Sequence, residues 1–261
     1  MKGVLVMEYV LKAEGVEKVY GKAANQYPAL QDVSFTIEHG EFVGVMGPSG
    51  AGKSSLLNVL ATIDSPTRGN IFIESDNIVQ MKEPYLSDFR RDHLGFIFQD
   101  YNLLDSLTVK ENIILPLAIK KEDPRLIEER VVEMTELFKI SHLLSKYPHQ
   151  LSGGEKQRVA ASRAMITNPK LLFADEPTGA LDSRSATDLL HQLESLNTNH
   201  LTTVLMVTHD AFAASFCRRI LFISDGRLLR ELSRGNKSRE EFFQIIMNQL
   251  ASMGGGNRVH G

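Results

Sequence analysis

A single cysteine, Cys217, stands among 261 residues. It cannot close a disulfide within the chain, so a small cross-linked scaffold is excluded, and such sparse thiol usage suits a reducing compartment. On its own it reads as a small core residue. Long hydrophobic runs are missing too. No stretch approaches the ~20 apolar residues of a membrane span, and the run from Ile113 to Ile119 is broken by Pro116. Val4, Leu5 and Val6 are followed by Glu8, too short a run for a secretory signal. The expectation is a soluble, cytoplasmic chain that reaches a membrane only through something else. Nor does one sign of charge dominate: 29 basic against 32 acidic residues give a net charge of -3. That balance does not announce nucleic acid or an anionic surface as a partner, so any anion must be held locally. With 9 prolines, 43% hydrophobic and 23% charged residues, collagen-like and disordered chains are excluded. The length suits one to two domains at ~150 residues each.

The patterns that are present read as an α/β core. Val33, Phe35 and Ile37 alternate with polar residues, the period of a strand with one wet face, and Gly40 ends it. Phe42 to Met46, Leu94 to Phe98, Leu171 to Ala174 and Thr203 to Val207 are instead short continuous apolar runs, as in parallel strands buried on both faces. Arg219 to Ser224 and Arg227 to Leu232 flank Asp225-Gly226, a type I′ hairpin signal. These antiparallel strands are expected to form a side sheet. Between Gln99 and Ala164 the pattern turns helical, with Asp123-Pro124 opening a helix whose Ile127, Val131, Met134 and Phe138 share one face. Strand-like runs resume at Leu171, so this reads as a helical subdomain inserted at about 100–164. An amphipathic helix carrying Phe242, Phe243, Ile246 and Leu250 follows, and then a flexible glycine-rich tail, together residues 236–261.

Gly47-Pro48-Ser49-Gly50-Ala51-Gly52-Lys53-Ser54 joins a buried strand to a plausible helix and fits the G-x-x-x-x-G-K-[ST] phosphate loop. The bare pattern arises by chance in about one chain in a hundred, and its strand and helix context makes chance a poor explanation. Glycines let backbone N–H groups turn toward an anion, and the helix N-terminus adds partial positive charge. Residues 47–54 with Ser55 are the candidate nucleotide contacts, Lys53 on the β- and γ-phosphates and Ser54 on Mg²⁺. The fold expectation is therefore a P-loop NTPase with a RecA-like parallel core.

Leu171 to Ala174 runs into Asp175-Glu176, placing two carboxylates at a strand's C-terminal end, where open α/β sheets bind ligands. Asp175 is the natural Mg²⁺ partner, and Glu176 can orient or deprotonate the attacking water. Gln99 and His209 also follow strands. Gln99 can hold the water or Mg²⁺ through its amide oxygen, and His209 can donate to the γ-phosphate.

Leu151-Ser152-Gly153-Gly154-Glu155 reads as a second anion-binding helix start, with Ser152 at the N-cap. A chance match is expected in well under about one chain in a thousand. With it, the sequence from about Glu14 to Arg230 resembles the ATP-binding-cassette (ABC) ATPases, whose signature motif this is. The resemblance implies a nucleotide-binding domain over residues 1–235, an adenine platform at Tyr20, and a dimer contact through Ala180, Leu181 and Asp182. It also implies that Ser152, Gly153 and Gly154 act on ATP held by a second copy, in a head-to-tail dimer enclosing two ATP molecules. Glu155 departs from the commoner Gln, but phosphate is touched by the serine and glycines, so little is expected to change.

The runs Leu94 to Asp105, Ala174 to Ser183 and Val207 to Ser215 are similar to the bacitracin-export type of cassette. That group implies a multi-span permease with a large extracellular domain, often a sensor histidine kinase reached through it, and a place on the inner face of the bacterial membrane. A lipoprotein-releasing or macrolide-efflux type is the alternative. A soluble cassette acting on DNA or the ribosome is disfavoured, since neither a second cassette nor a long coiled-coil insertion is visible. The signature likewise disfavours a small-molecule kinase. Tyr101, Leu103 and Leu104 either meet the permease or fill the insertion's own core.

Overall fold

The computed structural model describes residues 9–22 and 25–254. The apolar run at Val4 to Val6 and the tail beyond Gly254 lie outside these. A six-stranded sheet runs in the order β10-β9-β3-β8-β7-β6, built from β3 (Phe42–Met46), β6 (Leu94–Ile97), β7 (Leu171–Asp175), β8 (Thr203–Val207), β9 (Arg219–Ser224) and β10 (Arg227–Ser233). All pairs are parallel except β9 with β10. The continuous apolar runs have a simple cause. In β8, Val204 and Met206 join the core on one face while Leu205 and Val207 join the core on the other. In β7, Leu172 and Ala174 divide from Leu171 and Phe173 in the same way. Residues of both parities are buried, so no alternation survives.

A four-stranded antiparallel sheet, order β2-β1-β4-β5, covers one face with β1 (Tyr9–Tyr20), β2 (Tyr27–Glu38), β4 (Arg68–Ile73) and β5 (Asp76–Asn77). Between the sheets lies α1 (Lys53–Leu60), which buries Leu56, Leu57, Val59 and Leu60. The β9–β10 hairpin corrects one expectation. Its turn has φ 50° at Asp225 and 73° at Gly226, as a type I′ turn requires. Yet β9 pairs parallel with β3, so the hairpin is the edge of the main sheet and not part of the side sheet. The reason is local: Ile220 to Ile223 are all buried, a two-faced run that a half-wet sheet could not use.

Against the other face pack α3 (Val109–Lys120), α4 (Pro124–Leu137), α5 (Gly153–Met165) and α6 (Ser183–His200), with α2 (Glu83–His93) entering β6. Thr108 and Glu111 close a capping box at the start of α3, and the Asp123 carboxylate accepts from the Arg125 N–H at the start of α4. Val131, Met134 and Phe138 are buried while Glu128, Glu129, Glu133 and Glu136 are exposed. Finally α7 (Ala211–Ala214) packs on α8 (Arg239–Gly254), whose Phe242 and Ile246 are fully buried in the same core. Among the described residues no helix is long and apolar enough to cross a membrane.

Because α8 is anchored by Phe242, Phe242→Ala should lower unfolding free energy by about 3 kcal/mol or more. Denaturant unfolding reads this directly, and a loss below about 1 kcal/mol would mean that α8 is not part of the core.

Candidate functional site

Parallel pairing makes β3, β8, β7 and β6 neighbours that end at one edge. The phosphate loop leaves β3, His209 follows β8, Asp175 and Glu176 end β7, and Gln99 follows β6. Three strand spacings of ~4.8 Å put these groups within a span of about 15 Å. Lys53 is the first residue of α1 and is buried, its ammonium donating to the Gly47 carbonyl at 2.9 Å and the Pro48 carbonyl at 3.0 Å. Pro48, Ser49, Gly50 and Ser54 are exposed, Gly52 and Ser55 half-buried, and Gly47 and Ala51 buried. Gly52 has φ 99°, and a Cβ there would lie 2.4 Å from the Ala29 carbonyl oxygen, so only glycine lets the loop pass β2. The hairpin turn also braces the loop. Its Gly226 N–H donates to the Ala51 carbonyl at 3.0 Å, while the Gly226 carbonyl accepts from the Gln31 N–H at 2.8 Å.

Asp175 is half-buried, and its carboxyl is held above the usual carboxylate range, first by burial and then by the charge of Glu176, with Lys53 acting the other way. Glu176 takes φ 43° and donates its N–H to the Val207 carbonyl at 2.9 Å. This turn carries its carboxylate to His209, whose Nδ1 lies 3.0 Å from Oε1. Gln99 is exposed, and its amide packs against Gly179, where a Cβ would lie 3.1 Å from Nε2.

Tyr20 ends β1 with its ring partly exposed and pairs across the strands with Tyr27. Its hydroxyl donates to Asp64 at 3.0 Å, and the Lys18 ammonium sits 4.8 Å from the ring centre while donating to Asp64 at 2.6 Å. The Tyr27 hydroxyl donates to the Gly50 carbonyl at 3.3 Å. None of Lys18, Asp64 and Tyr27 carries a motif signal in the sequence.

Ser152 caps α5 in a reciprocal box. Its N–H and hydroxyl each donate to Glu155 at 2.8 Å, and the Ser152 N–H does most to hold the Glu155 carboxyl below the usual range. Gly153 faces Tyr101 and Gly154 faces Ser185, so the signature packs on the Asp182 loop and not on the phosphate loop of the same chain. A Cβ on Gly154 would lie 2.6 Å from Ser185 Oγ. Asp182 caps α6 and accepts from the Ser185 hydroxyl at 2.7 Å.

Two residues missed from the sequence tie α5 to the reactive edge. Gln157 is fully buried, and its Nε2 donates to the Pro177 carbonyl at 2.8 Å and the Phe98 carbonyl at 3.3 Å. Arg163 donates to the Tyr101 carbonyl at 2.9 Å and the Asn102 carbonyl at 2.5 Å. Those two acceptors hold φ values of 63° and 50°, a turn that needs outside support. Both residues are ordinary helix polar groups in sequence, and only their burial distinguishes them.

A family profile described as ABC transporter matches residues 30–179, more than half of the chain. The chain belongs to the ABC transporter family. The bacitracin export ATP-binding protein BceA of Halalkalibacterium halodurans is 47% identical over 251 residues, 96% of this chain and 99% of its own. The ABC transporter ATP-binding protein YxdL of Bacillus subtilis is 47% identical over 249 residues, 95% and 96% of the two chains. Among solved structures, the dimeric post-hydrolysis state of the cassette MJ0796 bound to ADP and Pi has a TM-score of 0.79 at 38% identity, covering 85% of this chain and 98% of that one. This ABC cassette binds and hydrolyses ATP, pairs with a second cassette and serves a membrane permease.

The raised Asp175 has a cost in stability. The folded cassette holds that proton more tightly than the unfolded chain, so stability falls as pH rises from the unfolded value through the folded one, and the deficit persists at neutral pH. Asp175→Asn should therefore raise the thermal midpoint of the nucleotide-free cassette at pH 7, with the gain vanishing below about pH 4. An unchanged or lower midpoint at pH 7 would contradict this.

Proposed function

We propose that this cassette is the ATP-hydrolysing subunit of a bacterial complex that exports antimicrobial peptides such as bacitracin or frees their membrane targets. The observation that carries this reading is the likeness to the bacitracin export protein. Its 251 aligned residues leave about ten of the 261 outside, so the match extends into α8. The cell-division protein FtsE of Bacillus subtilis, 40% identical, aligns over 221 residues only. The complex would place the cassette on the cytoplasmic face of the membrane, beneath a multi-span permease with a large extracellular domain, and through it beside a sensor histidine kinase.

In this reading the backbone N–H groups of Ser49 to Gly52 and the N-terminus of α1 cradle the phosphates, with Tyr20 beneath adenine. The Lys53 ammonium exchanges its two carbonyl acceptors for phosphate oxygens. Ser54, Asp175 and Gln99 offer a hydroxyl, a carboxylate and an amide oxygen, a donor set fit for Mg²⁺. Among the described residues no three His, Cys, Asp or Glu side chains cluster to hold a metal, consistent with an ion that takes most of its ligands from phosphates and water. When bound, Mg²⁺ would neutralise charge on the phosphates. Glu176 accepts the proton of the attacking water, and His209, fixed by its contact with Glu176, faces the γ-phosphate. Ser152, Gly153 and Gly154 complete the site from the second cassette, with Asp182 at the dimer contact. Glu176→Gln should lower turnover by about 10² to 10⁴ while retaining ATP and accumulating the ATP-bound dimer. Near-normal turnover with the permease present would remove Glu176 from the base role.

The permease surface is best supported at a groove of about 420 Å³ floored by Leu94, Phe96, Phe98, Leu115 and Pro116 and rimmed by Arg90, Arg91 and Arg163. It lies between α2, β6, α3 and α5, beside the Arg163-held turn. Of the three residues expected to meet the permease, Leu103 packs partly into the core, Tyr101 lies half-buried beside Gly153, and Leu104 is 46% exposed. Leu104→Glu should thus release the cassette from permease-containing membranes and lower peptide resistance several-fold, leaving ATP affinity unchanged. Full recruitment and resistance would refute the docking role, and lost resistance to a different drug class alone would refute the peptide reading.

A further inference from the structure

Behind the signature turn, a pocket of about 540 Å³ opens between the end of α4, the first turns of α5 and the length of α6. Lys139, Arg158 and Arg184 line it, with Asp188, His191 and Gln192. Among the described residues, none of the three cations has a carboxylate within 4.0 Å. Three positive charges thus line the pocket with one acid, Asp188, while Glu155 feels the charge of Arg158 from outside it and His191 is occupied with Glu194 at 3.4 Å. Two shielded polar atoms at this wall, Arg158 Nε and Gln192 Oε1, have no hydrogen-bond partner. Buried polar atoms are nearly always satisfied, and both of these belong to side chains that line the pocket, so a ligand onto which the two side chains turn would have to supply both an acceptor and a donor.

We propose that this pocket is an anion site for a phosphate or diphosphate group, separate from the phosphate loop. Such a group carries oxygens for the Arg158 and Arg184 guanidiniums, which bind oxyanions in a fork, and in its monoprotonated form a hydroxyl that can donate to Gln192 Oε1. Lys139 adds a point charge from the end of α4. The pocket's position gives binding a consequence. Arg158 Nη1 lies 3.5 Å from where a Cβ on Gly154 would stand, and Gly154 abuts Ser185, which is bonded to Asp182. An anion shared by Arg158 and Arg184 therefore ties α5 to α6 directly behind the signature and the Asp182 loop. The ligand is either the free anion or the diphosphate of a nucleotide.

Equilibrium dialysis of the full chain separates these sources. Labelled ADP is titrated first. Two equivalents per chain, falling to one in the doubly substituted Lys139→Gln, Arg184→Gln chain, assign the pocket to a nucleotide diphosphate. One equivalent of ADP, followed by one equivalent of labelled pyrophosphate in the continued presence of ADP, assigns it to the free anion. Pyrophosphate affinity should then be about tenfold or more weaker in the double variant. Lys139 and Arg184 are both exposed, so the variant should keep the thermal midpoint of the parent. The proposal is overturned if ADP stops at one equivalent and no pyrophosphate follows. It is equally overturned if the second equivalent binds the double variant as tightly as the parent.

Discussion

Four parallel strands that share hydrogen bonds must end side by side, and the chemistry at this site depends on that constraint. The ammonium of Lys53, the carboxylates of Asp175 and Glu176, the imidazole of His209 and the amide of Gln99 come from segments as far apart as positions 53 and 209. The contact of His209 with Glu176, at 3.0 Å, joins only two of them. The pairing of β3 with β8, β8 with β7, and β7 with β6 draws them all together, and it is secured by apolar burial on both sheet faces. Hydrophobic burial is non-directional, and the backbone ladder converts it into placement. One consequence is the environment of Asp175, half-buried at this edge beside Glu176, an environment that holds its carboxyl above the usual range.

A second set of contacts sets how the parts move together. Helix α5 carries the signature at its N-terminus, reaches Pro177 and Phe98 through Gln157, and grips the Tyr101–Asn102 turn through Arg163. Pro177 follows Glu176, and Phe98 precedes Gln99. A displacement of either segment would therefore reach the helix that carries the signature, and the turn beside the Phe96 and Leu115 groove. Interfaces packed this closely respond as units rather than yielding continuously.

Much of this architecture was legible in the sequence because its signals are local. The continuous apolar runs, the Asp225-Gly226 turn, and the Ser152 and Asp123 caps all state their structure within a few residues. The four strand ends that meet were each readable, as was their common edge once the sheet was taken as parallel. What escaped is non-local or masked. The 12-residue β1 interleaves charged residues and breaks register near Gly15, so its period of two is lost. The hairpin's sheet could not be read from its turn, since β9 chooses β3 as a partner by two-faced burial. Gln157, Arg163, Lys18 and Asp64 act through backbone carbonyls and neighbours distant in sequence, which no spacing encodes.

The central claim is that each ATP is enclosed by the phosphate loop of one cassette and the signature of another. Geometry within the chain fits this, because the atoms nearest a Cβ on Gly153 or Gly154 belong to Tyr101, Ala180, Leu181, Ser185 and Arg158 rather than to the phosphate loop. Mixing chains bearing Lys53→Ala with chains bearing Ser152→Arg tests it most directly, since one site of each mixed dimer then joins an intact phosphate loop to an intact signature. ATP-dependent dimerisation, followed by light scattering or ultracentrifugation, should appear in the mixture well above either variant alone. A mixture that associates no better than its separate components would contradict the shared site.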